Sequence, residues 1–304
     1  MLIKLRHILF TLCACALVFT RPAFADLNVF ATVPEWAALA QQIGGDKVKV
    51  FSATQALQDP HHVEARPSLI ARLRNAQLVI ATGADLEVGW LPLALRESSN
   101  SRVQPGQPGY FEAAKQVRML EIPTRLDRAD GDVHAGGNPH VQTDARNFLP
   151  IGEALAKRMG ELDGANAAYY QARYAAFADQ WRVALKRWEA AAAPLRGQPV
   201  VSHHRSFSYL YDWLGLKEVG TLEPKPGVDP SVAWLGELAG RVAASGPRAV
   251  IRATYNPARA SEWFAQKAGI PIVVLPFTVG GSDKATDLFG LFDDTIARLV
   301  AAIK

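Results

Sequence analysis

The chain has 304 residues, 49% of them hydrophobic, enough to bury a large core and build two domains. It carries 33 Lys and Arg against 29 Asp and Glu, but Lys4, Arg6 and Arg21 lie in the first 25 residues, which leaves 30 basic groups beyond them. That near-neutral balance gives no footprint for nucleic acid or an anionic membrane. Both cysteines, Cys13 and Cys15, sit in the same leading segment, which excludes disulfides and thiolate ligands from the rest.

Residues 1–25 read as a secretory signal peptide: a basic start (Lys4, Arg6, His7), an apolar run over 8–19 too short to span a membrane, and the small-x-small site Ala23-Phe24-Ala25. Leu12-Cys13-Ala14-Cys15 is weakly similar to a lipoprotein cleavage box. That reading leaves a very short apolar region, so the expectation is a secreted protein released after Ala25.

The pattern then predicts a strand over 27–32, a helix over 34–43 stopped by Gly44-Gly45, and a strand over 47–52 leading to Asp59-Pro60-His61-His62. A helix over 68–75 and an apolar strand over 78–81 follow, the latter ended by Thr82-Gly83. Residues 104–109 form a Pro- and Gly-rich loop, and 127–138 a polar, Gly-rich, mobile one. From 147 to 193 the pattern is helical, broken at 160–164. Its second part, 166–193, is Ala-rich with Tyr170, Tyr174, Phe177, Trp181, Leu185 and Trp188 three or four apart. At ~1.5 Å per residue it spans roughly 42 Å, either one more surface helix or a backbone joining two lobes. Strands return at 200–202, running into His203-His204, at 248–253 and at 270–275, and a helix over 287–303 closes the chain.

Strands alternating with helices predict an α/β fold with parallel sheets. The expected organisation is the signal peptide 1–25, an α/β lobe with a helical tail over 26–165, a long rigid linking helix over 166–195, and a second α/β lobe over 196–304. Of the seven histidines, all but His7 fall in three groups: His61 and His62, His134 and His140, His203 and His204. Imidazole is the commonest metal ligand, and three imidazoles with one oxygen make a tetrahedral cage suited to zinc. Ligands of open α/β sheets sit beyond the carboxyl ends of strands, which predicts a site between the lobes.

Four segments carry a family resemblance. Asp59-Pro60-His61-His62-Val63-Glu64-Ala65-Arg66-Pro67-Ser68 resembles the Asp-Pro-His-x-x-Glu-x-x-Pro-Ser signature of periplasmic metal-binding (solute-binding) proteins of zinc and manganese ABC transporters, the cluster A-I type. Asn138-Pro139-His140-Val141-Gln142-Thr143-Asp144-Ala145-Arg146-Asn147 is similar to their second signature, which usually starts Asp-Pro-His. His204-Arg205-Ser206-Phe207-Ser208-Tyr209 with Trp213-Leu214-Gly215-Leu216 resembles their third, and Gly83-Ala84-Asp85-Leu86-Glu87-Val88-Gly89-Trp90-Leu91 a further element. The resemblance covers nearly the whole chain after residue 25.

It implies two α/β lobes bridged by a rigid helix, with one metal ion held by His61, His140 and His204 as cargo for a membrane ABC permease. It also implies a monomer that is not an enzyme. His62 and His203 fall outside the motif alignment and read as solvated or supporting residues, and His134 lies where zinc-type members often carry a His-rich acidic insert. Histidine rather than glutamate at the third position tilts the cargo from Mn²⁺ toward Zn²⁺. The family's usual fourth ligand, an aspartate after the last strand, is missing from Leu275-Pro276-Phe277-Thr278-Val279-Gly280-Gly281. Asp283 is the expected substitute, swung back by the Gly-Gly turn, with Asp287, Glu223 or water as alternatives. Glu64 and Asp144 are the expected partners of the ring nitrogens. Two rivals remain: a secreted zinc hydrolase, which needs a base such as Glu64 or Glu223 because no His-Glu-x-x-His occurs, and a haem or ferric-chelate binder, which would not need three histidine loops.

Overall fold

The computed structural model describes residues 26–125, 131 and 134–303. The signal peptide and half of the mobile loop expected at 127–138 lie outside the described residues. No described helix is long and apolar enough to cross a membrane.

The first sheet holds β1 (Leu27–Ala31), β2 (Val48–Ser52), β3 (Leu78–Ala81) and β4 (Tyr110–Glu112) in the order β2-β1-β3-β4. The second holds β5 (Pro199–Ser202), β6 (Lys217–Thr221), β7 (Val250–Ala253) and β8 (Ile272–Leu275) in the order β6-β5-β7-β8. Every pairing is parallel. Parallel neighbours need a crossover, and the interleaved segments supply it as α1 (Pro34–Gly44), α2 (Pro67–Asn75), α3 (Leu91–Ser98), α6 (Ser208–Leu214), α7 (Val232–Val242) and α8 (Ala258–Ala268). Central strand β3 is buried at all four positions because helices cover both faces of the sheet, which is why Leu78-Val79-Ile80-Ala81 shows no polar alternation. The edge strands β4 and β6 lack such a run and were not legible as strands.

Two further helices tie the sheets together. After α4 (Phe148–Leu162), α5 runs for 25 residues from Ala167 to Ala191, about 37 Å at 1.5 Å per residue, slightly shorter than the predicted span. Its buried stripe of Tyr170, Phe177, Trp181, Leu185 and Trp188 settles the choice between surface helix and backbone. Trp181 packs 5.3 Å from the Phe148 ring on the first lobe's side, and 4.8 and 5.6 Å from Phe289 and Phe292 of the closing helix α9 (Leu288–Ala302). Its indole N–H donates to the Ala145 carbonyl at 2.7 Å. One apolar core therefore runs from Leu27 through α5 to Ile303, so the link between the lobes is packed rather than hinged on a flexible strand of chain.

Candidate metal centre

The three histidine loops meet where the carboxyl ends of the two sheets face each other. His61 lies in the loop after β2, and His204 follows β5 by two residues. His140 comes long after β4, at the start of the turns that lead into α4, and so is not directly at a strand end. Ring centroids are 5.2 Å apart for His61 and His140, 5.6 Å for His61 and His204, and 5.3 Å for His140 and His204. One nitrogen from each lies within 4.8 Å of the others.

Each ring is oriented by an oxygen at its other nitrogen. Asp59 Oδ1 accepts from both the backbone N–H of His61, at 2.9 Å, and its ring Nδ1, at 2.8 Å. Asn138 Oδ1 does the same for His140, again at 2.9 and 2.8 Å. The shared geometry follows from Asx-Pro-His: the side-chain oxygen closes a turn onto the N–H two residues on, and proline between them fixes φ. For His204 the acceptor comes from elsewhere, Glu223 Oε2 at 2.7 Å, which also accepts from the Gly227 N–H at 2.8 Å. These oxygens accept only, so every Nδ1 carries its hydrogen and every Nε2 presents a lone pair. The Nε2 atoms of His61 and His140 are buried and make no hydrogen bond among the described residues.

The electrostatics suit a cation. Burial holds the His140 imidazole well below its ordinary value, with the neighbouring His61, His204 and His134 rings adding to the effect, so it stays neutral and able to ligate. At Asp59, burial pushes the carboxyl up, but the hydrogen bonds from His61 outweigh it and the group is held below its usual value. The Phe277 ring stands edge-on to His140 at 5.7 Å, with Tyr255 behind it, giving the site an apolar floor from the second lobe.

The other expected residues fall elsewhere. Asp283 is exposed and outside the imidazole group. The turn before it does not swing toward the cleft, because the Gly280 N–H donates to Ala285 at 2.6 Å, the Gly281 N–H to Thr278 at 2.9 Å, and Ser282 Oγ to Asp294 of α9 at 2.6 Å. Asp287 caps α9, accepting from the Gly290 N–H at 2.7 Å. Glu223 approaches through the ring of His204 and is a partner of that ring. Glu64 is exposed, and Asp144 is turned to Arg146, with Nη2 at 2.7 Å, so neither orients a ring. Asp59 and Asn138 do that work, and the repeated Asx-Pro-His was the signal for them.

His62 is exposed, while His203 is buried, its N–H donating to the Ile251 carbonyl at 2.8 Å and burial lowering its ring's pKa. His134 has its ring centroid 5.5 Å from that of His61. The segment after it rests on the loop following β3, where the Ala135 N–H donates to Asp85 at 3.0 Å. That loop has left-handed φ at Gly83, Ala84 and Asp85 in succession. It is held by the buried Glu87, whose Oε1 accepts from the Thr82 N–H at 2.7 Å and Oε2 from the Gly83 N–H at 3.1 Å. A cleft of about 370 Å³ opens beside the site, lined by Glu121, His134, Asn138, His140, His204 and Arg205 among others.

Two parallel-sheet lobes, a packed bridging helix and three converging imidazoles define a two-lobed α/β protein with a candidate metal centre between its lobes. The chain matches the family described as "Zinc-uptake complex component A periplasmic" over residues 29–302, and it belongs to that family. Among curated relatives, the metal ABC transporter substrate-binding lipoprotein ScbA of Streptococcus cristatus is 25% identical over 161 residues, 53% of this chain and 50% of its own. The high-affinity zinc uptake system protein ZnuA of Paracoccus denitrificans is 24% identical over 259 residues, 74% of this chain and 76% of its own. The chain thus spans about half the length of the relatives it first matches and about three quarters of the second. A ZnuA crystal structure superposes with a TM-score of 0.76 at 21% identity, covering 92% of this chain and 100% of that one, which shows the shared fold.

Proposed function

We propose that this protein is the periplasmic binding component of a metal-importing ABC transporter. It captures one divalent transition metal on His61, His140 and His204 between its lobes and hands it to the membrane permease and its ATPase. The observation that carries this reading is that all three rings have Nδ1 tied to an oxygen acceptor, leaving Nε2 free to converge from both lobes.

The donor set favours zinc over manganese. Three imidazoles suit a borderline-soft ion, whereas Mn²⁺, Ca²⁺ and Mg²⁺ prefer oxygen. The carboxylates of Asp59 and Glu223 act through the rings they hold, so a 2+ ion is balanced without a carboxylate on the metal. A water from the adjoining cleft would supply a fourth donor. Since one ligand comes from the second lobe and two from the first, relative lobe movement removes His204 from the set and lowers affinity at the permease. The carboxylates beside the rings are already committed: Asp59 and Glu223 hold imidazoles, and Glu121 accepts from Ser208 and Asn138. This favours cargo binding over hydrolysis.

The test is native mass spectrometry of metal-stripped protein given equal Zn²⁺ and Mn²⁺. One tightly held zinc per chain is expected. A preference for manganese would overturn the cargo, and an absence of bound metal the whole reading.

A further inference from the structure

Asn138 faces both lobes. Its Oδ1 holds His140, as described. Its Nδ2 donates to the Arg205 carbonyl at 2.8 Å and to Glu121 Oε2 at 3.0 Å, with Ser208 Oγ at 3.2 Å. Those acceptors leave no ambiguity about which end of the amide is nitrogen. Arg205 adjoins the ligand His204, and Ser208 opens α6 of the second lobe. The Ser208 hydroxyl donates in turn to Glu121 Oε1 at 2.8 Å, and the Arg205 guanidinium stands 3.9 Å from Glu121 Oε2. The backbone is pinned as well. The Asn138 carbonyl accepts from the Tyr209 hydroxyl at 2.8 Å, and the Asn138 N–H donates to Leu120 at 2.8 Å. Glu121 adopts a left-handed φ of 52°, a conformation that non-glycine residues rarely hold without tertiary support. The side chain of Asn138 is thus a buried bridge, with His140 on one end and the neighbour of His204 on the other.

We propose that Asn138 is a positioning residue that couples the orientation of His140 to lobe closure, and that its amide sets how slowly the metal leaves. The inference rests on the metal-cargo reading. For the lobes to part and carry His204 away, the Arg205 carbonyl must leave Nδ2. The freed side chain can then rotate, taking from His140 the oxygen that orients it, so two ligands are lost in one movement. The family signature usually has aspartate here. A carboxylate would still accept from His140 but would meet the Arg205 carbonyl and the Glu121 carboxylate with no hydrogen to offer. Asparagine keeps the acceptor and adds the latch.

The experiment loads the purified protein with Co²⁺, to read the ligand set from its visible spectrum, and with Zn²⁺, to time release into excess chelator. Glu121→Ala and Asn138→Asp are each expected to bind one metal with the parent spectrum and to release zinc about 10-fold faster, the loss of roughly one net hydrogen bond. Asn138→Asp combined with Glu121→Gln restores the bond within the first lobe, since the new amide can donate to the new carboxylate, but leaves the Arg205 carbonyl without its donor, and should release zinc as fast as Asn138→Asp alone. A residue that merely supports its own lobe would be rescued by this exchange. Parent release rates in both single variants, or a parent rate in the pair, would overturn the proposal while leaving the cargo reading intact. Failure of the unsubstituted protein to bind metal would instead overturn the cargo reading. If Asn138→Asp does not fold, Asn138→Ser decides alone, because a hydroxyl can close the same turn onto the His140 N–H while removing the amide that donates to Arg205: faster release supports the latch and the parent rate removes it.

Discussion

Glu35, in the first turn of α1, accepts a hydrogen bond from the hydroxyl of Thr278, 243 residues away on the loop after β8, and this contact joins the two lobes beneath the site. Glu35 is fully buried, and its other oxygen has no hydrogen-bond partner among the described residues. Burial pushes its carboxyl from 4.5 up to about 7, against the lowering effect of Thr278 and Gln142.

A group whose folded pKa lies above its unfolded value stabilises the fold fully below the unfolded value and loses that contribution as pH rises through the folded one. Glu35 should therefore weaken the metal-free protein progressively between about pH 4.5 and 7, by about 3 kcal/mol at most. Glu35→Gln keeps an acceptor for Thr278 without the charge. Thermal melts at pH 5 and pH 8 should show the variant gaining on the parent at the higher pH. An equal pH dependence in both proteins would contradict the assignment.

Removing any one of His61, His140 or His204 as alanine should cost at least about 100-fold in zinc affinity, because two imidazoles and water make a poor zinc site. Asp283→Ala should leave affinity unchanged, given the exposed position of that side chain. Competition against a chromogenic chelator measures both. A clear loss with Asp283→Ala would mean that the turn at 278–285 reopens when metal arrives.

Glu223→Gln and Asp59→Asn retain an oxygen for the ring but remove the charge behind it. Each should weaken zinc by roughly 10- to 100-fold, with stoichiometry preserved. Isothermal titration of the two variants reads this directly, and unchanged affinity would show that the charge of the carboxylates is immaterial.

Trp181 is completely buried between Phe148 and the α9 phenylalanines. Trp181→Ala should cost about 3–5 kcal/mol of stability from lost burial and the cavity left behind. Because both lobes share this core, chemical denaturation should remain a single transition in the unsubstituted protein. Two separate transitions would show that the lobes fold independently.

Much of this protein is legible in the chain itself. Apolar runs such as 78–81 and the aromatic spacing from Tyr170 to Trp188 specify central strands and a long bridging helix, because burial on one or both faces leaves a local periodic trace. His61 and His140 stand out because Asx-Pro-His is a local device, closing its turn over two residues. The edge strands β4 and β6 left no such trace, since half-exposed edges tolerate polar side chains.

What folding alone decides are the partnerships between distant residues. Nothing in the spacing pairs Glu223 with His204, turns Asn138 toward Arg205, or sets Glu35 against Thr278. Nor does the chain reveal that the Gly280-Gly281 turn closes on itself and leaves Asp283 outside. These contacts arise because two separately wound sheets bring their carboxyl ends face to face over one core. The candidate ligands are thus written in short motifs, while the groups that orient them and join the lobes are chosen by the packing of one lobe on the other.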